Sequence, residues 1–86
     1  METGRIVYTI AKNPEEEVRF TVGQYKDRHY LDLRLWFQPA KGGQYRPTKK
    51  GLTLSLEHIP ELKKGLERAS EAAKEFALHE SPRQLQ

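Results

Sequence analysis

Between Val18 and Phe37 the sequence alternates apolar and polar residues with a period of two. Two such runs, Val18 to Tyr25 and Tyr30 to Phe37, are separated by a short polar segment that includes Lys26-Asp27. A period of two is typical of a strand with one buried face, and a short polar connection joins antiparallel neighbours. The segment therefore predicts a β-hairpin with one apolar and one polar face. Its apolar positions are Val18, Phe20, Val22, Leu31, Leu33 and Leu35.

Further strands are predicted on both sides of this hairpin. Arg5 to Ala11 is rich in β-branched and aromatic residues and predicts an extra N-terminal strand, which Asn13-Pro14 and the following glutamates end. Pro39 ends the second hairpin strand, and Gly42-Gly43 is expected to form a flexible turn. The last two predicted strands are a short edge strand at Gln44 to Arg46, closed by Pro47, and a final strand at Gly51 to Leu54.

The period changes to that of a helix after about Glu57. One stripe of apolar residues recurs at alternating spacings of three and four, which predicts an amphipathic helix of about twenty residues. Ser55 is a candidate N-cap; alternatively, a 3₁₀ turn precedes the helix and Pro60 takes its first position. The stripe packs either on its own sheet or on a second copy of the chain. Its members are Ile59, Leu62, Leu66, Ala69, Ala73 and Phe76, the candidate dimer interface.

These elements predict an α+β fold, a four-stranded antiparallel β-sheet followed by one C-terminal α-helix, with the possibility of the extra N-terminal strand. The 86 residues suffice for one domain only, and so small a core favours self-association. We expect an N-terminal extension at 1–16, the domain at 17–80 and a flexible tail at 81–86. The longest apolar runs are three residues, which excludes a transmembrane segment or secretion signal and favours an intracellular protein.

The sequence lacks the motifs of metal sites, phosphate-binding loops and catalytic sites. The chain has no cysteine, and its three histidines are too scattered for a zinc signature, so no metal or cofactor is expected. No phosphate-binding glycine-rich loop occurs. Ser55 with His58 fits a helix start better than a nucleophile and its base, and Glu15 to Glu17 fit a solvated turn better than a cation site. We therefore do not expect an enzyme.

Positive charge is concentrated in the middle of the chain. From residue 18 to residue 50 there are eight basic and two acidic residues, a net charge of +6, whereas the whole chain has +3. Six of the eight aromatic residues lie in the same segment. Cations attract polyanions and aromatic rings stack on bases, so the segment favours nucleic-acid binding. The alternative is an ordinary sheet with a solvated charged face.

From Val18 to about Ala72 the chain resembles the transcriptional coactivator family known as positive cofactor four, with its bacterial and phage members and the related Whirly proteins. The resemblance rests on Leu31-Asp32-Leu33-Arg34, the aromatic pair Trp36-Phe37, a glycine-containing loop, and the run from Arg46-Pro47 to Ser55, followed by a helix with Glu61-Leu62-Lys63. It implies a helix-mediated homodimer that binds single-stranded DNA without strong sequence preference, in transcription regulation or in DNA replication or repair. The transcription machinery is a further expected partner.

The resemblance also suggests binding residues. Tyr25 matches a stacking aromatic of the family, Lys26 and Arg28 match its turn cations, and Arg34 and Lys50 match further basic positions. The stacking ring after Arg34 is Trp36 or Phe37, and strand parity favours Trp36. The full candidate set is Arg19, Tyr25, Lys26, Arg28, Tyr30, Arg34, Trp36, Phe37, Arg46, Lys49 and Lys50. The alternatives are a module that binds acidic protein partners and a protein that mainly binds RNA.

Overall fold

The computed structural model describes residues 3–79. Four antiparallel strands lie side by side in the order of the sequence, and a helix follows them. This confirms the predicted α+β fold of a four-stranded sheet and one C-terminal helix. The elements are β1 (Thr3–Ala11), β2 (Glu16–Tyr25), β3 (Arg28–Phe37), β4 (Arg46–Ser55), a 3₁₀ turn (Leu56–His58) and α1 (Ile59–His79).

The central hairpin of β2 and β3 has the predicted apolar and polar faces. Val18 pairs with Leu35, and Arg19 pairs with Arg34 on the opposite face, so apolar and polar residues are separated as the alternation requires. Lys26 and Asp27 form the two-residue turn with φ angles of 48° and 67°. Two successive left-handed residues match the right-handed twist of the strands, which explains why so short a connection suffices.

Strand β4 differs from the prediction. The separate strands expected at Gln44–Arg46 and Gly51–Leu54 are wrong, because a single strand runs from Arg46 to Ser55. Pro47 does not end it but pairs with Trp36, and an edge strand tolerates a proline because one side of its backbone needs no partner. The register shifts between Arg34 and Trp36, so that three β4 residues, 48–50, lie opposite Leu35. This bulge absorbs the residues that the sequence assigned to a loop.

The N-terminal segment is a full strand of the sheet. β1 pairs with β2 from Thr3 to Ala11, with a register shift between Ile6 and Tyr8. The turn that joins them is organised by Asn13, whose Oδ1 accepts hydrogen bonds from the backbone N–H groups of Glu15 (2.9 Å) and Glu16 (2.8 Å). The predicted extension therefore adds the fourth strand at one edge.

Helix α1 begins after the 3₁₀ turn, as one of the two predicted starts requires, although Pro60 is its second residue. Ser55 makes no side-chain capping hydrogen bond. The helix continues directly from the 3₁₀ turn and makes few contacts with the strands of the sheet. Leu66 and Phe76 on its apolar stripe are 56% and 60% exposed.

The described residues form a single layer. Leu31 and Leu35 are the buried apolar residues of that part of the chain, and Tyr8, Ile10 and Leu52 are exposed. The radius of gyration is 15.6 Å, against about 12 Å for a compact domain of this length. A sheet with one apolar face normally buries that face against a second layer, which the residues 3–79 of one chain do not supply.

Candidate nucleic-acid interface

The polar face of the sheet is formed by alternate residues of the four strands. Six of the predicted binding residues share it because their strand positions have the same parity: Arg19 and Tyr25 on β2, and Arg28, Tyr30, Arg34 and Trp36 on β3. Thr53 and Gly51 of β4 continue it beside β3. The alternation of the hairpin therefore brings cations and aromatic rings onto one surface, as predicted.

Arg34 is held rigidly at the centre of the polar face. Its Nε and Nη2 donate hydrogen bonds to the two carboxylate oxygens of Asp32 at 3.2 and 3.0 Å, and its Nη1 donates to the carbonyl oxygen of Thr48 at 3.0 Å. Thr53 Oγ1 donates to Asp32 Oδ1 at 2.8 Å. The guanidinium has five N–H groups, so two are left for a ligand. These contacts orient a fork of the type that binds phosphate.

Arg19 also contacts other side chains of this face. Its Nε donates to Glu17 Oε2 at 2.6 Å, and the guanidinium carbon lies 4.2 Å from the centre of the Trp36 ring and 5.0 Å from that of Tyr45. Distances below 6 Å permit cation–π attraction. The Trp36 indole nitrogen is buried and has no hydrogen-bond partner.

Sequence reasoning did not assign Tyr45, Glu17 or Asp32 to the site. Tyr45 precedes β4 by one residue and is two residues from Pro47, which pairs with Trp36. Residues two apart on a strand face the same side of the sheet, so this spacing could have indicated that Tyr45 lies on the polar face. Asp32 and Glu17 each lie two residues from the arginine they bind, and i, i+2 spacing on a strand places both partners on one face.

An open groove of about 510 Å³ crosses the polar face. Residues of all four strands line it, from Gly4 and Ile6 on β1 to Pro47 on β4, with Arg34 and Trp36 between them. The groove combines apolar surface, an aromatic ring and a cation, the components that bind nucleotides of a single strand.

The hairpin end of the polar face carries an exposed ring and two cations. Tyr25 is 44% exposed and pairs with Arg28, which is also exposed. Lys26 Nζ lies 5.3 Å from the centre of the Tyr25 ring. This end therefore offers a stacking surface with positive charge beside it.

Phe37 and Arg46 lie away from this face. Phe37 pairs with Arg46 and has the parity of the apolar face, so the geometry separates it from Arg34 and puts Trp36 beside Arg34. Lys49 and Lys50 are exposed within the β4 bulge.

Glu16 has the strand parity of the apolar face, and the positive charge of Lys50 acts on its carboxylate. The pKa of Glu16 lies below its ordinary value, chiefly because Asn13 Nδ2 donates a hydrogen bond to its carboxylate at 2.7 Å, with smaller contributions from the charges of Lys12 and Lys50.

No cluster of three or more side chains able to ligate a metal is found among residues 3–79. Within the same part of the chain, no helix has the length and apolarity needed to cross a membrane.

Comparison with protein families identifies the family to which this sheet and helix belong. The model of the family described as Transcriptional Coactivator p15 (PC4) matches residues 12–65, nearly two thirds of the chain. The chain belongs to the PC4 family. The match covers the central hairpin, β4 and the start of α1, whereas β1 lies before it. A search of curated proteins found no match.

Solved PC4 structures have the same architecture. A PC4 homologue from Burkholderia pseudomallei, in an orthorhombic crystal form, has 26% sequence identity and a TM-score of 0.73, with 81% of this chain and 93% of that one covered. Its tetragonal form gives a TM-score of 0.72 at the same identity, covering 79% and 98%. A bacteriophage T5 homologue, implicated in recombination-dependent DNA replication, has 19% identity and a TM-score of 0.53, covering 90% and 83%, and supports the fold alone.

Proposed function

We propose that this PC4-family protein binds single-stranded DNA across the polar face of its sheet and acts as a homodimer. The observation that carries the proposal is the position of Trp36 beside the oriented fork of Arg34 on one face of β3, in an open groove. Family membership and the basic, aromatic middle of the chain support the same function.

Bases of a single strand would stack on Trp36 and, at the hairpin end, on Tyr25. Stacking on an aromatic side chain contributes about 1 to 3 kcal/mol per base and tolerates every base, because each has a flat face. A duplex keeps its bases stacked on one another and offers these rings little. The proposal therefore requires a preference for single strands without strong sequence preference.

Phosphates would bind the cations around these rings. Arg34 has two N–H groups left after its contacts with Asp32 and Thr48, and its orientation costs no further entropy. Arg28 and Lys26 supply charge near Tyr25. Lys49, Lys50 and Arg46 lie on β4 and extend the positive field at the edge of the sheet.

The apolar surfaces that one chain leaves uncovered support the proposed homodimer. The apolar face of the sheet and the apolar stripe of α1 both include exposed residues, with Leu52 at 48% and Leu66 at 56%. A second copy would supply the missing layer for both, and it would leave the polar faces available to DNA. The stripe residues Ile59, Leu62, Leu66, Ala69, Ala73 and Phe76 would lie in that interface.

The test is fluorescence anisotropy with a labelled oligonucleotide. We expect tighter binding of the single strand than of the duplex of the same sequence, and equal or weaker binding of the single strand would overturn the proposal. Competition with RNA and with an acidic peptide on the same sample separates the alternatives: an RNA that outcompetes DNA would indicate an RNA-binding protein, and a peptide that does so would indicate a protein-interaction module.

The same proposal gives the cellular role as transcription regulation or DNA replication and repair, inside the cell wherever chromosomal DNA lies. The transcription machinery is the corresponding protein partner. Immunoprecipitation of the crosslinked protein, followed by sequencing of single-stranded and duplex DNA separately, tests this role.

A further inference from the structure

The contacts of Arg19 bear on how Trp36 can act. Arg19 and Glu17 lie two residues apart on β2, and their side chains are only 18% and 17% exposed. The hydrogen bond between them is short, at 2.6 Å, and the guanidinium lies over the Trp36 ring. Glu17 also faces Trp36 directly in the strand register. The three side chains therefore form one unit on the polar face.

Arg19 covers one face of the ring that the proposed function uses for stacking. The indole nitrogen of Trp36 is buried, so that edge of the ring is turned into the protein. A base can reach the ring face over which Arg19 lies only after Arg19 has moved. Moving Arg19 separates it from Trp36 and Tyr45 and disturbs its contact with Glu17.

We infer that Glu17 is an affinity-determining residue of the DNA site, because it holds Arg19 over Trp36 and makes a base compete with Arg19 for that ring. The inference rests on the proposed function, since it takes Trp36 as a stacking ring. Glu17 also neutralises Arg19, and so it removes one cation from those that phosphates can bind. Both effects lower the affinity of the parent protein for single strands.

The decisive variant removes the Arg19 side chain from the Trp36 ring without changing the net charge of the protein. Glu17→Gln/Arg19→Ala deletes one charge of each sign and uncovers Trp36. We expect it to bind a single-stranded oligonucleotide about fivefold more tightly, the factor that corresponds to a cation–π contact of about 1 kcal/mol. The slope of log K against log salt stays unchanged because no net charge is lost.

Trp36 is the single tryptophan of the chain, so its emission reports on the ring directly. Stacked bases quench indole fluorescence, and we expect saturating oligonucleotide to quench the double variant more strongly than the parent. If the ion pair of Glu17 and Arg19 had only a structural role, oligonucleotide would quench the fluorescence of the two proteins equally. Affinity equal to or weaker than that of the parent, or unchanged quenching, would overturn the inference.

A single substitution gives an independent test if the double variant folds poorly. Glu17→Gln keeps the shape of the side chain and leaves Arg19 without a neutralising carboxylate. We expect tighter binding and a salt slope steeper by about 0.7, because one more phosphate contact releases counterions. The matched control is Glu71→Gln on α1, which makes the same charge change away from the sheet and should alter affinity less than twofold.

Different results would contradict the proposed function and the role of Glu17. A parent protein without preference for single strands would contradict the proposed function. A parent protein with that preference whose Glu17→Gln variant binds no more tightly, with the Glu71→Gln control unchanged, would contradict only the role of Glu17.

Discussion

Gly51 on β4 and Arg34 on β3 approach so closely that a methyl group on Gly51 would lie 2.8 Å from the Cα atom of Arg34. The same methyl group would lie 2.5 Å from the carbonyl oxygen of Leu33. Both atoms belong to the backbone and cannot rotate away. Glycine at position 51 thus permits the pairing in which the Thr48 carbonyl oxygen of β4 accepts a hydrogen bond from Arg34 Nη1.

The first prediction concerns this contact. We expect Gly51→Ala to lower the free energy of unfolding by about 1 to 3 kcal/mol, because the strands must separate to admit the methyl group. Gly65→Ala on α1 is the matched control: no atom lies within 4 Å of the added methyl group, and alanine favours the helix by about 1 kcal/mol. Urea denaturation measures both, and a Gly51→Ala protein as stable as the parent would show that β4 adapts freely.

The second prediction concerns the geometry of Arg34. Arg34→Lys keeps the charge but cannot reproduce the bidentate contact with Asp32, so we expect weaker single-strand binding and a free energy of unfolding lower by about 1 to 2 kcal/mol. Arg28→Lys makes the same change at an exposed position of the same face and should affect both quantities less. Equal effects of the two variants on affinity would mean that Arg34 acts through its charge alone.

The third prediction separates stacking from charge. Trp36→Ala should weaken single-strand binding about tenfold with little change in the salt slope, because a lost stack releases no counterions. Arg34→Ala or Lys50→Ala should instead make the slope shallower by about 0.7. Phe37→Ala, next in sequence but on the other face, is the control and should leave affinity nearly unchanged.

Thermal melts decide whether Trp36 acts in binding or only in folding. If Trp36→Ala melts far below the parent and its folded fraction binds normally, Trp36 is structural and the stacking role passes to another ring. Tyr25, the exposed ring on the same face, is then the next residue to test.

The fourth prediction concerns the dimer. Leu66→Glu introduces a charge into the exposed apolar stripe of α1, and we expect light scattering at micromolar concentration to change from about 20 kDa to the 10.0 kDa of one chain. Glu71→Gln on the opposite side of the helix is the control and should leave the mass at about 20 kDa. A parent protein of 10 kDa would exclude the helix-mediated dimer at that concentration.

The fifth prediction concerns pH. Because Asn13 donates a hydrogen bond to the Glu16 carboxylate, the pKa of Glu16 is lower in the folded than in the unfolded protein. Glu16 therefore stabilises the fold above its ordinary pKa, and this contribution is lost as the pH falls through the lowered value. NMR titration of the side-chain carboxyl carbon should show the pKa rising in Asn13→Ala. An unchanged pKa in that variant would assign the shift to Lys12 and Lys50 instead.

Much of the fold could be predicted because its signals are local. The alternation from Val18 to Phe37 requires one apolar face, and Lys26-Asp27 leaves room for little but a tight turn. The prediction of two strands in place of β4 was wrong for a local reason as well: Pro47 and Gly51 are typical strand breakers. At a sheet edge the proline needs no partner, and the glycine admits a close neighbour.

The site was predictable only in part. Strand parity indicated that Arg19, Arg34 and Trp36 share a face, and the register confirms that arrangement. It could not indicate that Arg19 lies over Trp36 and Tyr45, because Tyr45 is brought there by a strand whose register depends on the bulge at residues 48–50.

The sequence by itself determined which residues alternate, where the helical period begins and which face of each element is apolar, because these properties depend on neighbours a few positions away. The tertiary structure alone decided which cations are already held by Glu17 and Asp32, and that α1 lies off the sheet. These features depend on register and packing between segments distant in sequence, where a shift of one residue moves a side chain to the other face.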